Sequence, residues 1–424
     1  MASIPLNEVF GVSTDVPKYT YVDRQALDQR FTHYLESQKH IVVHGASKQG
    51  KSCLRKKNIN PDSCIIVQCL PHMVNGDDVW VAALQAMGKY QVSKKTTTEE
   101  ASQELAGEAG GQLKIPLVGG LSTKATGTAG NTSTQEIEEE VIQSNNHLSE
   151  LGKVLRESGK RMVLEDFHYL PDATRHSVAF GLKALYEEKA YVVVVGIWSE
   201  QNLITYYNGD LTGRIEEINL TWNDADLGEV LLKGEGALNI EFAPGMKIQL
   251  IESSFQNVGL LQRLAEKVCM EAGVYNSQAS KVVISNIDFL QKARTQIVSD
   301  IRQRYIRIAG VFVEGMRADS VLHLYARVYN ELIDANNKEL INGLSLTELL
   351  ERVQKNAPAA VVIRQSDLTQ SLERVERLQA SRSITPLLVS YSRSVKKLFL
   401  NDREFLFYRK YSGDDSSELK VPLV

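Results

Sequence analysis

Eight residues in the first part of the chain combine glycines, a lysine and a hydroxyl at a spacing that suits phosphate binding. They read Gly45-Ala46-Ser47-Lys48-Gln49-Gly50-Lys51-Ser52. This string fits the pattern GxxxxGK[ST]. Glycines let the backbone curl so that N–H groups face an anion, and the helix that should follow adds partial positive charge. Lys51 would reach the terminal phosphates and Ser52 would ligate Mg²⁺, so we predict a nucleoside triphosphate site that extends to Cys53.

Two carboxylates after a later apolar run could complete such a site. The run 162–164 reads as a buried strand, and Glu165 and Asp166 follow it directly. In sites of this kind one carboxylate serves Mg²⁺ and another orients the attacking water. By position we assign Glu165 to the metal and Asp166 to the water. An acidic loop start without these roles is the alternative interpretation.

Two further residues are candidates for contact with the terminal phosphate. Ser199 follows the apolar run 191–195, at a strand end where a polar side chain can sense the phosphate. Arg214 follows Gly213 and could act as an arginine finger in its own site or in a neighbour's. Loop capping by Ser199 and a plain surface position for Arg214 are the alternatives.

Short apolar runs and the amphipathic stretches between them must position these residues. The runs are 41–43, 65–67, 162–164 and 191–195, and the amphipathic stretches are 77–90, 136–158 and 173–188. Strands that alternate with helices indicate a parallel sheet covered by helices on both faces. We therefore predict an α/β fold with a P-loop NTPase core.

We divide the chain into four parts. Residues 1–222 are the P-loop core, 223–280 a helical lid, 281–318 a connecting helical segment, and 319–424 a winged-helix domain. Within the core, residues 93–134 are rich in Thr, Gly, Ala and Ser and break the rhythm of strands and helices. They read as an inserted hairpin or loop, either without a special role or in contact with a partner.

The last hundred or so residues carry the winged-helix prediction. Helices are predicted at 321–333, 346–353 and 368–378, followed by β-segments at 386–390, 395–400 and 404–408. Three helices and a small β-hairpin, with a turn at Asn401-Asp402, are typical of that domain.

Bulk composition narrows the class of protein. A length of 424 residues favours two or three domains, and a net charge of −4 argues against a nucleic-acid coat over the whole chain. The four cysteines form no CxxC pair and no metal-ligand spacing. No apolar run approaches the roughly 18 residues of a membrane helix, and no signal pattern opens the chain. We expect a cytoplasmic protein.

Taken together, these features resemble the AAA+ superfamily, and within it the STAND and origin-recognition (ORC/Cdc6-like) branch. Besides the P-loop, the matching segments are Tyr21-Val22-Asp23-Arg24, 164–168 and 257–263. The resemblance implies ATP as the nucleotide, with Tyr21 and Arg24 near the adenine and Arg263 near a phosphate. Asp23 stands where the family usually has glycine, and Gln262 stands where it usually has the sensing arginine.

The resemblance also implies a function. Members of this branch use ATP to switch between a closed monomer and an assembled state, and many bacterial members act in antiviral defence. The expected partners are copies of the same chain or a separate effector protein. Glu165-Asp166 reverses the order that AAA+ proteins mostly show, and a shorter aspartate holds water less well. We therefore predict slow hydrolysis, which a turnover of many per second would contradict.

Two other functions stay open. A DNA-associated AAA+ ATPase would bind duplex DNA through basic residues near the wing, namely Arg393, Lys396, Lys397, Arg403, Arg409 and Lys410. The presumed recognition helix mixes Glu373 and Glu376 with Arg374 and Arg377, which suits a DNA groove poorly and favours packing on the ATPase. A nucleotide-binding scaffold without hydrolysis is the third interpretation.

Overall fold

The structure is a computed structural model that describes residues 3–13, 15–89, 147–315, 322–413 and 419–423. The predicted insertion at 93–134 lies outside the described residues, as does the first part of the helical stretch 136–158. Within the described parts of the chain, no helix is both long and apolar enough to cross a bilayer.

A five-stranded parallel sheet forms the centre of the N-terminal part, in the order β2-β3-β4-β1-β5. Its strands are β1 His40–His44, β2 Cys64–Gln68, β3 Arg161–Glu165, β4 Val192–Val195 and β5 Ile215–Asn219. β1 and β4 are buried along their whole length, as expected of parallel strands covered on both faces. The four predicted strands are confirmed; β5 is an addition, because its polar Glu216 and Glu217 obscure the apolar pattern.

Helices cover both faces of this sheet. They are α2 Leu27–Glu36, α3 Lys51–Asn58, α4 Gly76–Ala86, α5 His147–Ser158, α6 Asp172–Glu187 and α7 Leu203–Tyr207. A short first helix, α1 Leu6–Val9, packs instead on the helices of the predicted lid. Successive residues of a strand point to opposite faces. Ile41 and Val43 accordingly join one apolar cluster, and Val42 joins the cluster on the other face. The carboxyl ends of β1 and β3 therefore lie at one edge, where the P-loop and the acidic pair meet.

The predicted lid is a mixed unit. It contains α8 Asp224–Leu238, α9 Pro244–Ser254 and α10 Val258–Glu271, with a small parallel pair of strands, β6 Ile240–Phe242 and β7 Val282–Ile284. Asn223 and Asn257 cap α8 and α10 by accepting from backbone N–H groups of their first turns. A long helix, α11 Ile287–Glu314, then leads to the C-terminal part.

The C-terminal part combines helices with a small antiparallel sheet, and its assignment as a winged-helix domain stays a prediction. Its elements are α12 Leu324–Asp334, α13 Asn337–Asn342, β8 Leu344–Ser345, α14 Leu346–Lys355, α15 Gln365–Ser381, β9 Val389–Ser392, β10 Lys397–Leu400 and α16 Glu404–Tyr411. The strands form an antiparallel sheet in the order β8-β10-β9. The strand predicted at 404–408 is wrong, since these residues open α16 and are all buried where this helix packs against α11.

His40, at the start of β1, is a fully buried histidine held by two hydrogen bonds. Its Nδ1 accepts from the backbone N–H of Val192 at 3.0 Å, and its Nε2 lies 2.9 Å from the carbonyl oxygen of Leu182. This pattern requires the neutral ring with the proton on Nε2. Burial lowers the pKa of His40 to about 4.

The free energy of unfolding should therefore fall on acidification. An unfolded histidine titrates near about 6.5, so between this pH and about 4 the unfolded chain binds more protons and stability is lost as the pH falls. His40 contributes a slope of up to about 1.4 kcal/mol per pH unit. Urea unfolding across this range should show a shallower slope for His40→Gln than for wild type. The exposed His33→Gln is the control, and equal slopes in all three proteins would contradict the assignment.

Candidate functional site

The loop between β1 and α3 is curled by three residues with positive φ. They are Gly45 at 141°, Lys48 at 59° and Gly50 at 86°. A Cβ on Gly45 would lie 2.5 Å from the carbonyl oxygen of Leu220, so only glycine fits there. Gly50 faces open space and ends the loop where α3 begins at Lys51. The predicted P-loop residues are thus brought together at a helix N-terminus, which suits an anion.

Lys51 lies inside the curl of its own loop. Its Nζ donates to the carbonyl oxygens of Gly45 at 3.1 Å and Ala46 at 2.7 Å. Burial lowers the pKa of Lys51 to about 7, against the opposing charges of Asp166 and Glu165. A phosphate placed beside this amine would favour its charged form, so anion binding and protonation of Lys51 are coupled. In the first turn of α3, Ser52 is exposed, and burial raises the pKa of the half-buried Cys53.

The two predicted carboxylates lie at the end of β3, and each already has a partner. Glu165 is 7% exposed and accepts from Nε of Arg55, on α3, at 2.6 Å. Burial raises the pKa of Glu165, and the charge of Arg55 opposes that rise. Asp166 has a φ of 55° and accepts from Nε2 of Gln68 at 2.5 Å. Arg55 was not predicted; its place four residues after Lys51, one turn along α3, was the available signal.

The oxygen groups at this edge fit Mg²⁺ bound together with phosphates. The exposed hydroxyl of Ser52 and the carboxylates of Glu165 and Asp166 are the hard donors that this ion prefers. Among the described residues, no group of three or more His, Cys, Asp or Glu side chains could hold a metal ion alone. Ser52 and Glu165 would hold the ion beside the phosphate oxygens, and Mg²⁺ would supply charge neutralisation there.

Arg24, one of the two residues predicted near the adenine, lies against Trp222. The Arg24 guanidinium stacks 3.9 Å from the Trp222 ring centroid and donates to the carbonyl oxygen of Thr221 at 2.8 Å. Burial lowers the pKa of Arg24 to about 10. Trp222 donates from Nε1 to the carbonyl oxygen of Gln49 at 3.1 Å, which ties this aromatic ring to the P-loop. Trp222 was not predicted, because an isolated tryptophan in the sequence carries no spacing signal.

Tyr21 lies beside α2 and α3. Its hydroxyl donates to Oδ1 of Asp28 at 2.6 Å, and Nζ of Lys57 is 3.8 Å from its ring centroid. One face of the Tyr21 ring is therefore covered by a lysine rather than left open to a base, and its contact with adenine stays a prediction.

Ser199 and Arg214 lie at opposite ends of the parallel strands, Ser199 at the carboxyl ends and Arg214 at the amino ends. Ser199 is half-buried and follows Trp198, which pairs with Gly45 of the P-loop. Arg214 precedes β5, and its carbonyl oxygen accepts from the N–H of His40 at the amino end of β1. Its guanidinium contacts Glu187 at 2.8 Å. Arg214 therefore does not reach the P-loop of its own chain, and a role in a neighbour's site stays a prediction.

The C-terminal part closes over the P-loop. The carbonyl oxygen of Asn401 accepts from the N–H of Ser47 at 2.9 Å, and Glu404 lies 2.8 Å from Nζ of Lys48. Glu404 is 1% exposed and also pairs with Arg263 of the lid at 2.9 Å.

The α11 helix takes part in the same network. Arg304 lies 2.7 Å from Asp402 and 3.7 Å from Glu404. Burial opposes ionisation of Glu404, but the charges of Lys48, Arg263 and Arg304 outweigh it and hold the pKa of that carboxyl below its usual range. Glu404 was missed because its segment was predicted as a strand; Arg263 reaches this carboxylate instead of standing free.

Comparisons with known proteins bear on the fold. No family model matches the chain, and no curated protein matches its sequence. The Walker-type ATPase PABY2304 of Pyrococcus abyssi superposes with a TM-score of 0.52 at 11% identity, over 95% of this chain and 99% of that one. The chain has the fold of that Walker-type ATPase, with a parallel sheet, covering helices and a P-loop. The predicted fold class is thereby confirmed.

Two further solved structures match over nearly their full length. Cdc6p of Pyrobaculum aerophilum has a TM-score of 0.40 at 12% identity, over 99% of this chain and 98% of that one. The ORC1 protein of Aeropyrum pernix in complex with DNA has a TM-score of 0.43 at 12% identity, over 97% and 96%. Because both scores are below 0.5, the fold rests on the Pyrococcus abyssi structure.

Proposed function

We propose that this chain is an ATP- and Mg²⁺-dependent molecular switch of the ORC/Cdc6-like and STAND type, with slow hydrolysis. In this conformation its own C-terminal winged helix holds it closed. The single observation that carries the proposal is the contact of Asn401 and Glu404 with Ser47 and Lys48 of the P-loop. Opening would free the chain to assemble with copies of itself or to activate an effector protein. A place in bacterial antiviral defence rests on the family resemblance.

The contact suits a switch because it joins three moving parts through one carboxylate. Glu404 belongs to the C-terminal part, Lys48 to the P-loop and Arg263 to the lid. The terminal phosphate of ATP would compete with Glu404 for the same two cations. ADP lacks that phosphate and is compatible with the closed form. Loss of the Glu404 contacts would release the C-terminal part, while the lid could still follow the nucleotide through Arg263.

The DNA-associated alternative loses much of its predicted basic surface. Arg409 donates to the carbonyl oxygens of Leu332, Ile333 and Ala335, at the end of α12. Arg403 is buried and donates to Gln256. Arg409 thus binds within the C-terminal part and Arg403 binds the lid, which leaves fewer cations for phosphate contacts than the sequence suggests.

The decisive experiment is the mass in solution of wild type and Lys51→Ala with ADP, with a non-hydrolysable ATP analogue, and with each plus duplex DNA. The analogue alone should assemble wild type. Loss of the charged contact from Lys51 should weaken nucleotide binding by about 10- to 150-fold and prevent assembly. Lys56→Ala, an exposed lysine on the same helix, is the control and should behave as wild type.

Other outcomes of that experiment would overturn the proposal. Assembly that waits for duplex DNA and weakens steeply with salt would favour the DNA-associated ATPase. Turnover measured in the same samples should be slow, and many cycles per second would contradict the assignment of Asp166 as a weak base. A chain that binds nucleotide but neither turns over nor assembles would be a scaffold.

A further inference from the structure

A cleft lies between the ATPase core and the C-terminal part, outside the P-loop. Its volume is about 680 Å³, within the range of about 300–1,000 Å³ usual for small-molecule sites. The core contributes the segment after β3 together with α6 and α7, and the C-terminal part contributes α15 and β9. Any occupant would touch both parts of the chain at once.

Three residues that line the cleft carry buried N–H donors without an acceptor. They are Nε2 of His168, Nε of Arg175 and Nε1 of Trp198, none of which has a partner among the described residues. The exposed fractions of these side chains are 6%, 9% and 4%. His168 accepts at Nδ1 from the N–H of Ile197, so its proton is on Nε2. An unpaired buried donor costs about 1–3 kcal/mol, and three on one wall indicate a missing acceptor.

The cleft is lined by four carboxylates and four guanidinium groups, and several of them form ion pairs. Glu376 pairs with Arg175 at 2.6 Å, and Arg393 pairs with both Asp172 at 3.3 Å and Glu373 at 3.2 Å. Both carboxylates of α15 therefore have a cationic partner, although Glu373 shares Arg393 with Asp172, and Glu200 accepts from the hydroxyl of Ser394.

Two arginines of α15 remain. Arg374 and Arg377 line the cleft, are exposed, and form no ion pair with another described residue. Their spacing of three places them on one face of the helix. Two free guanidinium groups at the mouth of a cleft favour an anion, and their planar shape suits a phosphate.

The remaining walls are aromatic. Tyr169, Trp198, Tyr207 and Tyr391 all line the cleft. Aromatic side chains favour the stacking of a flat ring, and ring nitrogens and carbonyls would supply acceptors for buried N–H groups.

We propose that this cleft binds a small organic anion that joins a flat, acceptor-bearing ring to a phosphate, as a nucleoside monophosphate does. The ring lies toward His168 and Trp198, and the phosphate meets Arg374 and Arg377. The site goes beyond the proposed switch and uses none of its nucleotide-binding residues. It is coupled to the P-loop, because His168 follows Glu165-Asp166 closely and Trp198 pairs with Gly45.

The indole N–H signals of the three tryptophans provide a direct test. The full chain, labelled with ¹⁵N-tryptophan and saturated with ADP and Mg²⁺, is titrated with AMP, GMP, CMP and UMP. The Trp198 signal, assigned with Trp198→Phe, should shift saturably with at least one of them. Trp222, which donates to the P-loop, reports the ADP itself.

Matched variants decide the result. Arg374→Glu with Arg377→Glu should weaken the monophosphate by at least about tenfold. Arg30→Glu with Lys338→Glu, both exposed and outside the cleft, should leave it unchanged. No saturable Trp198 shift, or an equal affinity in the two double variants, would overturn the site, as would a Trp198 response to a short DNA duplex alone. A Trp198 response without a Trp222 response to ADP would instead contradict the proposed function and leave the cleft site standing.

Discussion

Arg55→Met should lower the free energy of unfolding by about 3–5 kcal/mol. The substitution removes the cation that lies 2.6 Å from Glu165 and leaves that carboxylate buried with its charge uncompensated. Because burial already raises the pKa of Glu165, the loss should be greatest at alkaline pH, where the group must ionise. Urea unfolding at several pH values measures the effect.

Two controls isolate the buried pair. Arg55→Met combined with Glu165→Gln should recover much of the stability, since both charges are then gone. Arg156→Met, which breaks the exposed pair with Glu188, should cost less than about 1 kcal/mol. If Arg55→Met were no worse than Arg156→Met, the pair would have no part in holding the acidic end of β3.

Glu404→Gln should shift the chain toward its open, assembling form. The amide keeps the size of the side chain but loses the charge that faces Lys48, Arg263 and Arg304. Loss of a charge-assisted contact of about 1.5–3 kcal/mol corresponds to about 10- to 150-fold in the closed–open equilibrium. Release of a fluorescent ADP analogue should be faster by a similar factor, and assembly should need less ATP analogue.

The control keeps the same arginine and changes its other partner. Asp300 pairs with Arg263 at 3.2 Å and is half exposed, so Asp300→Asn should have little effect on release. Arg263→Gln, which breaks the Glu404 pair from the other side, should also speed release. Unfolding midpoints would first establish that both variants are folded. If Glu404→Gln and Asp300→Asn then released the ADP analogue at equal rates, Glu404 would not hold the closed form.

Local pattern predicted the centre of the fold and the P-loop well. A few neighbouring residues are enough to predict the apolar strands β1 and β4 and the glycines of the loop. No tertiary information is needed for these elements. β5 escaped because Glu216 and Glu217 interrupt its apolar residues, and the pairing with β1 decides its conformation. The segment at 404–408 is predicted as a strand of alternating pattern, with one exposed face. In the structure all five residues are buried, so such a pattern does not predict their conformation.

The partners of the site residues could not be predicted from local pattern. Arg55 and Glu165 are separated by 110 positions, and Lys48 and Glu404 by 356. Each of these charges looks like an ordinary surface residue in the sequence, and only the packing of α3 on the sheet and of α16 on the P-loop brings them together. The residues predicted to bind a ligand were therefore visible in the sequence, while the partners that restrain them were not.

The long helix α11 connects the predicted lid to the C-terminal part as one uninterrupted rod. Its 28 residues form a rod of about 42 Å at about 1.5 Å per residue. One end packs on the lid helix α10, while Tyr305, in its far half, holds Asp402 at 2.7 Å. Because no proline interrupts the rod, a tilt of about 10° at the lid would carry its other end about 7 Å. A small adjustment of the lid around a phosphate would thus reach the C-terminal part as a displacement larger than a water molecule.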